Sequence, residues 1–160
     1  MSRIGILGGS FNPIHNGHIY IAEKVKKNLL LDKIIFIPTG IAPHKDIKEF
    51  ADKYHRYNMV KLAVNNQFDV SDIEVKVDNV CYTVDTMSKI KDLYQEDELF
   101  YIIGADSLAN FMKWREPIRL FEMLHLVVVD REDEDIDTIA DEYRKKYGAK
   151  ITICHIDKYD

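Results

Sequence analysis

The chain has 160 residues, 46% of them apolar and 31% charged, which suits one soluble globular domain with enough apolar side chains for a core. Its formal charge of −5 argues against binding nucleic acid through a broad basic surface, but leaves room for the local positive charge that a nucleotide site needs. No secretory-type leader or membrane-length apolar run is read, and Cys81 and Cys154, far apart and without metal-type spacing, suggest inert thiols in a reducing cytosol.

Ile4 to Leu7 is a short apolar run that reads as a strand. It stops at Gly8-Gly9, where the backbone can turn its N–H groups toward a ligand. Ser10-Phe11-Asn12-Pro13-Ile14-His15-Asn16-Gly17-His18 follows. Asn16 is the expected N-cap, and Ile19, Ala22, Val25 and Leu29 recur at helical spacing, so a helix opens near Gly17 and runs to about Leu31. His15 and His18 then occupy the last loop residue and the first turn, beside the positive end of the helix dipole and its free N–H groups. Together these features form an anion site, and a phosphate chain is the anion that uses so many donors. A metal is the weaker alternative, because HxxH in a first turn lacks the further ligands that zinc wants.

Lys33 to Pro38 is a second strand, apolar on both faces, as in a sheet covered by helices on both sides. The loop Thr39 to Asp46 leaves its carboxyl end, where open α/β sheets hold ligands. Its His44-Lys45 pair is either a phosphate contact or simply solvated. Tyr54 to Asn66 reads as a helix with Met59, Leu62, Ala63 and neighbouring valines inward, and Phe68 to Val75 alternates like a third, more exposed strand. Tyr82-Thr83-Val84-Asp85-Thr86 opens a helix striped by Val84, Met87, Ile90 and Leu93; Thr83 is its N-cap, a hydroxyl facing a ligand, or both.

Leu99 to Gly104 is a fourth strand, and Gly104-Ala105-Asp106 leads into a helix near Ser107. Asp106 is a cap for that helix or a partner for a ribose hydroxyl or metal-bound water. Trp114, the only tryptophan, sits among polar residues just before a helix starting at Pro117, an awkward place for a purely core side chain. Leu126 to Asp130 is the fifth strand, and Arg131 leaves its end. Glu132 to Asp137 is an acidic, solvated run. It opens a helix of Ile136, Ile139, Ala140, Tyr143 and Tyr147 that closes at Gly148, and Lys150 to Ile156 is the last strand. Strands alternating with helices predict an α/β fold: a doubly wound, mainly parallel, Rossmann-like sheet with all these loops on one rim.

Gly8-Gly9-Ser10-Phe11 followed by His15-Asn16-Gly17-His18 resembles the signature of the HxGH nucleotidyltransferase superfamily. The wording GGSFxPIHxGH is similar in particular to bacterial nicotinate-mononucleotide adenylyltransferases, and neither the dinucleotide GxGxxG nor the Walker GK[ST] is present. The resemblance implies transfer of AMP from ATP to nicotinate mononucleotide, giving deamido-NAD and pyrophosphate, a step of NAD biosynthesis. It implies His15, His18 and Lys45 as catalytic, and Gly8, Gly9, Ser10, Phe11, Gly17, Gly104, Asp106 and Arg131 as the ATP site. His44, Lys45, Tyr82, Thr83 and Trp114 would form the mononucleotide site, with the indole stacked on the nicotinate ring at a gain of roughly 1–3 kcal/mol. Mg²⁺ is expected to arrive with ATP, with few or no protein ligands and no metal site of the chain's own. Neither nucleic acid nor a membrane is an expected partner, and a homo-oligomer is left open.

The chain departs from that family's pattern twice. Asn12 stands where aspartate is usual, which keeps a turn-forming side chain. The family also carries an ISSTxIR segment beyond its last strand for the ATP phosphates, and the sequence reaches Asp160 without it. Residues 1–160 therefore read as a single nucleotidyltransferase domain cut before that segment. The alternatives are another HxGH adenylyltransferase, acting on nicotinamide mononucleotide or phosphopantetheine, or a nucleotide-binding module inactive for want of the segment.

Overall fold

A computed structural model describes residues 1–43, 51–130 and 136–157. His44, Lys45 and Arg131 lie outside the described residues. The elements run β1 (Arg3–Gly9), α1 (Asn16–Asn28), β2 (Lys33–Pro38), α2 (Lys53–Val64), β3 (Asp69–Val70), α3 (Thr83–Leu93) and β4 (Glu98–Gly104). They continue with α4 (Ala105–Ala109), α5 (Pro117–Met123), β5 (His125–Asp130), α6 (Ile136–Tyr147) and β6 (Lys150–His155).

The six strands form one sheet in the order β3-β2-β1-β4-β5-β6, and every pairing is parallel. The chain therefore builds outward from β1 to one edge, returns, and builds outward from β4 to the other. Its direction of travel reverses between β1 and β4, and the crevice outside the carboxyl ends of those two strands is where such sheets bind ligands. The expected doubly wound parallel sheet is the observed one.

Alternation along each strand divides the core between two faces. Ile4, Ile6, Ile35, Ile37, Leu126 and Val128 face a layer built from α3, α5 and α6, including Val84, Met87, Ile90, Leu120, Ala140 and Tyr143. Ile34, Phe36, Phe100, Ile102, Val127 and Val129 face α1 and α2 through Ala22, Val25, Val60 and Val64. Because both faces are covered, β2, β4 and β5 read in the sequence as nearly unbroken apolar runs.

The structure corrects several expectations. The first strand does not stop at Leu7: it runs on through Gly8 and Gly9, which pair with Ile37 and Pro38 of β2, so the turn begins only at Ser10. The third strand is only Asp69–Val70, at the sheet edge, and not Phe68 to Val75. After Ser71 donates its N–H to the Phe36 carbonyl, the chain curls into a turn, with Lys76 and Val77 bonded back to Asp72 and Glu74. The inner face of α2 carries Arg56, Val60 and Val64, while Met59, Leu62 and Ala63 are exposed. Leu93 likewise turns outward at the end of the α3 stripe. The cap of α1 is His15 and not Asn16; that of α3 is Tyr82, which makes no side-chain cap bond, and not Thr83. The helix after β4 starts at Ala105, two residues before the expected Ser107, with Gly104 at its N-cap.

Candidate active site

Gly8 and Gly9 close β1, and the segment from Ser10 to Ile14 then delivers the chain into α1 through a reciprocal cap made by two histidines. The Gly17 N–H donates to His15 Nδ1 at 3.0 Å, and the His15 N–H donates to His18 Nδ1 at 3.0 Å. A capping box normally uses hydroxyl and carboxylate oxygens; here imidazole nitrogens fill both acceptor positions. Accepting at Nδ1 fixes the tautomer, so each ring when neutral carries its proton on Nε2, away from the cap.

The rings stack with centroids 3.8 Å apart, and the buried Phe11 meets His18 edge-on at 5.0 Å. Phe11 thus works from the core, beneath His18. Burial, followed by the nearby His15, lowers the His18 pKa to about 4, so the ring is neutral at physiological pH. Gly17 is required by this packing. A Cβ there would lie 2.8 Å from His15 Cε1 and 2.9 Å from Nδ1, displacing the ring from its cap.

Two cavities open on the same rim. The first, of about 880 Å³, is lined by Gly8 and Gly9 at the end of β1 and Ser10 after it, by Thr39, Ala42 and Pro43 after β2, and by Tyr82, Thr83 and Thr86 at the start of α3. Trp114 and Arg115 complete its wall. The second, of about 610 Å³, is lined by Gly104, Ala105 and Asp106 after β4 and by Val129 and Asp130 at the end of β5. Gly8, Tyr101, Ser107 and Trp114 belong to both walls. His15 and His18 line neither cavity; they stand at the start of α1, in the segment that follows β1.

Trp114 is held from behind by Phe111, at 4.6 Å between centroids, and edge-on by Tyr101 at 6.2 Å. Its half-buried indole keeps a face on the first cavity. Arg115 lies over the Tyr82 ring, with its Cζ 4.4 Å from the centroid, which brings a cation to the same wall.

Several residues of the site escaped sequence reasoning. Tyr101 rises from β4 between the cavities; burial pushes its hydroxyl up to about 12, partly opposed by a hydrogen bond from Thr83, so it stays protonated. The Thr83 hydroxyl is therefore engaged inside the cavity, whereas Tyr82 holds the cap position. Glu74 lines the first cavity, accepting from the Gly40 N–H at 3.2 Å and the Thr86 hydroxyl at 2.9 Å. Burial raises its pKa against those two bonds. Cys81 lines the same cavity, and burial next to Glu74 raises its thiol, leaving it a poor nucleophile. Arg56, 3% exposed, donates from Nε to the Ala51 carbonyl at 2.9 Å and from Nη1 to the Ser10 carbonyl at 2.8 Å. In the second cavity Asp130 pairs with His155 Nδ1 at 3.1 Å.

Of the residues singled out in the sequence, the structure brings Gly8, Gly9, Ser10, Tyr82, Thr83 and Trp114 to one cavity and Gly8, Gly104 and Asp106 to the other. His15, Gly17 and His18 stand together at the helix start, and Phe11 supports them. Among the described residues no cluster of three or more His, Cys, Asp or Glu side chains could hold a metal, and no helix is long and apolar enough to cross a membrane.

Residues 6–156 match the cytidylyltransferase-like family. A curated protein of Desulfitobacterium hafniense (strain Y51) named "Probable nicotinate-nucleotide adenylyltransferase" is 38% identical over 156 residues, covering 96% of this chain and 75% of its own length. Proteins of the same name from Thermoanaerobacter sp. (strain X514) and Clostridium tetani are 41% and 43% identical, covering 93% and 91% of this chain and 74% and 73% of their own. Among solved structures, Plasmodium falciparum nicotinic acid mononucleotide adenylyltransferase complexed with NaAD superposes with a TM-score of 0.83 at 22% identity, over 100% of this chain and 78% of that one. The same enzyme complexed with APC gives 0.80 at 21% identity, over 100% and 77%. At those identities the likeness is one of fold.

Proposed function

The chain belongs to the cytidylyltransferase-like family, and we infer that, like its nicotinate-nucleotide adenylyltransferase relatives, it transfers the AMP of ATP to nicotinate mononucleotide, giving deamido-NAD and pyrophosphate. The observation that carries the reading at the level of the site is the pair of cavities that share Gly8, Tyr101, Ser107 and Trp114. Two nucleotides seated one in each would meet at Gly8, at the end of β1.

The mononucleotide belongs in the first cavity. Its pyridine ring stacks on Trp114, its polar groups reach Tyr82 and Thr83, and its phosphate lies toward Gly8 and Gly9, with His44 and Lys45 assigned to it from the sequence. Adenosine belongs in the second, against Gly104 and Asp106, with Arg131 following β5. The mononucleotide's 5′-phosphate oxygen is already a nucleophile at neutral pH and needs no general base. It attacks the α-phosphorus of ATP; the new P–O bond forms as the bond to the bridging oxygen breaks, and pyrophosphate leaves with that electron pair.

The protein's part is alignment and charge stabilisation. Gly8 and Gly9, without side chains at the end of β1, let the phosphates approach the backbone closely, with Ser10 beside them. His15 and His18 offer Nε2–H donors whose direction is set by the cap. Lys45 balances phosphate charge. Mg²⁺ is assigned to the triphosphate: a hard cation takes oxygen ligands, and the Nδ1 lone pairs of both histidines are committed to backbone N–H groups.

The test is pyrophosphate release from ATP with nicotinate mononucleotide, set beside nicotinamide mononucleotide. Turnover of the first, with kcat/KM above that of the second, is expected; no release with either overturns the assignment.

A further inference from the structure

Arg56 is a buried cation for which the chemistry above has no use. Its guanidinium gathers carbonyls from three separate segments: Ser10 at 2.8 Å in the turn after β1, Ala51 at 2.9 Å just before α2, and Gly40 in the loop after β2, the longest at 3.5 Å. A planar fork with fixed donor directions can serve three acceptors at once, which an ammonium on a flexible stem does less well.

Gly40 is held from its other side too. Its N–H donates to Glu74, whose second oxygen accepts from Thr86, and a Cβ on Gly40 would collide with the Glu74 carbonyl. Asn12 adds a parallel tie, its Oδ1 accepting from the Ala51 N–H at 3.1 Å. Ser10 stands on one wall of the first cavity, and Thr39, Ala42 and Pro43 stand on the wall that follows β2.

We propose that Arg56 is a positioning residue of the transfer reaction: by bonding the Ser10 and Gly40 carbonyls together it fixes the spacing of the two walls between which the mononucleotide phosphate meets ATP. Arg56 touches neither substrate. This rests on the reading of the first cavity as the mononucleotide site. Near-attack alignment is sensitive enough that an error of about 1 Å costs around 10²-fold in rate. Substrate affinity, spread over many other contacts, changes less.

The test compares Arg56→Lys and Arg56→Met with the unaltered chain, measuring kcat, both KM values and amide hydrogen exchange. Arg56→Lys is expected to lower kcat by roughly 10–10²-fold and Arg56→Met by more, with each KM moving less than about threefold. Exchange should quicken at residues 8–12 and 39–43 while β5 and α6 keep their rates. Arg56→Lys alone carries the test if Arg56→Met does not fold. A kcat for Arg56→Lys within about threefold of the unaltered chain, or exchange that rises evenly across the molecule, overturns the proposal. If the unaltered chain releases no pyrophosphate, the functional reading falls, and the exchange pattern still decides whether Arg56 sets the two walls.

Discussion

Each of the two histidines at the start of α1 uses one ring nitrogen for structure, and the proposed reaction draws on the other. Nδ1 closes the helix cap, so Nε2–H is aimed without any further residue to orient it. Removing one preorganised donor of this type typically lowers kcat by about 10²–10³-fold, and His18→Ala is expected to fall in that range while keeping its far-ultraviolet circular dichroism. The same ring predicts a pH response. Its folded pKa of about 4 lies below the ordinary 6.5, so the unfolded chain takes up that proton first as pH falls. The stability tied to the neutral ring is complete above about pH 6.5 and is lost progressively from there toward pH 4. Urea midpoints measured across that window should decline more steeply for the unaltered chain than for His18→Ala. A proton NMR titration of the ring should report a value well below 6.5.

At the scale of elements, the site depends on what lies behind it. Phe111 is fully buried between Trp114 and Phe121, with ring centroids 4.6 and 5.0 Å away, so the indole rests on the core. Phe111→Ala is expected to cost about 3–5 kcal/mol, read as a lowered urea midpoint with an unchanged slope, and to loosen Trp114. β1, β2, β4 and β5 were legible in the sequence because both their faces are covered. Helix α2 was legible in extent but not in orientation: with Arg56 inward and Leu62 81% exposed, its apolar spacing points the wrong way. Phe68 to Val75 alternates as a strand does, yet Glu74 is drawn into the cavity by Gly40 and Thr86, and pairing stops at Val70. The glycines and histidines ahead of α1 could be found because they are neighbours in sequence, although Gly8 and Gly9 belong to the strand and not to the turn. Arg56, Glu74 and Tyr101 could not, since each acquires its role from partners far along the chain, such as Ser10, 46 residues before Arg56.

At the scale of the molecule, a sheet that reverses direction between β1 and β4 brings the ends of both strands to a single crest, with a cavity on either side. The lone tryptophan, Trp114, belongs to the walls of both cavities. Its fluorescence is therefore expected to report occupancy. Nicotinate mononucleotide, stacking on the indole, should quench it strongly, and ATP alone should quench it less. A Trp114→Phe chain should lose the signal and weaken mononucleotide binding by roughly tenfold or less, since a phenyl ring retains part of the stacking.

The partition shared by the two cavities also bears on what happens after the transfer. Substrates enter as two independent ligands, but the dinucleotide is a bivalent one, with each half tethered to a neighbour already seated. When one end lets go, the other holds it at high effective concentration, so rebinding competes with escape. On the proposed seating of the two nucleotides, product departure is therefore expected to be slower than bond formation, which a pre-steady-state burst of pyrophosphate would reveal.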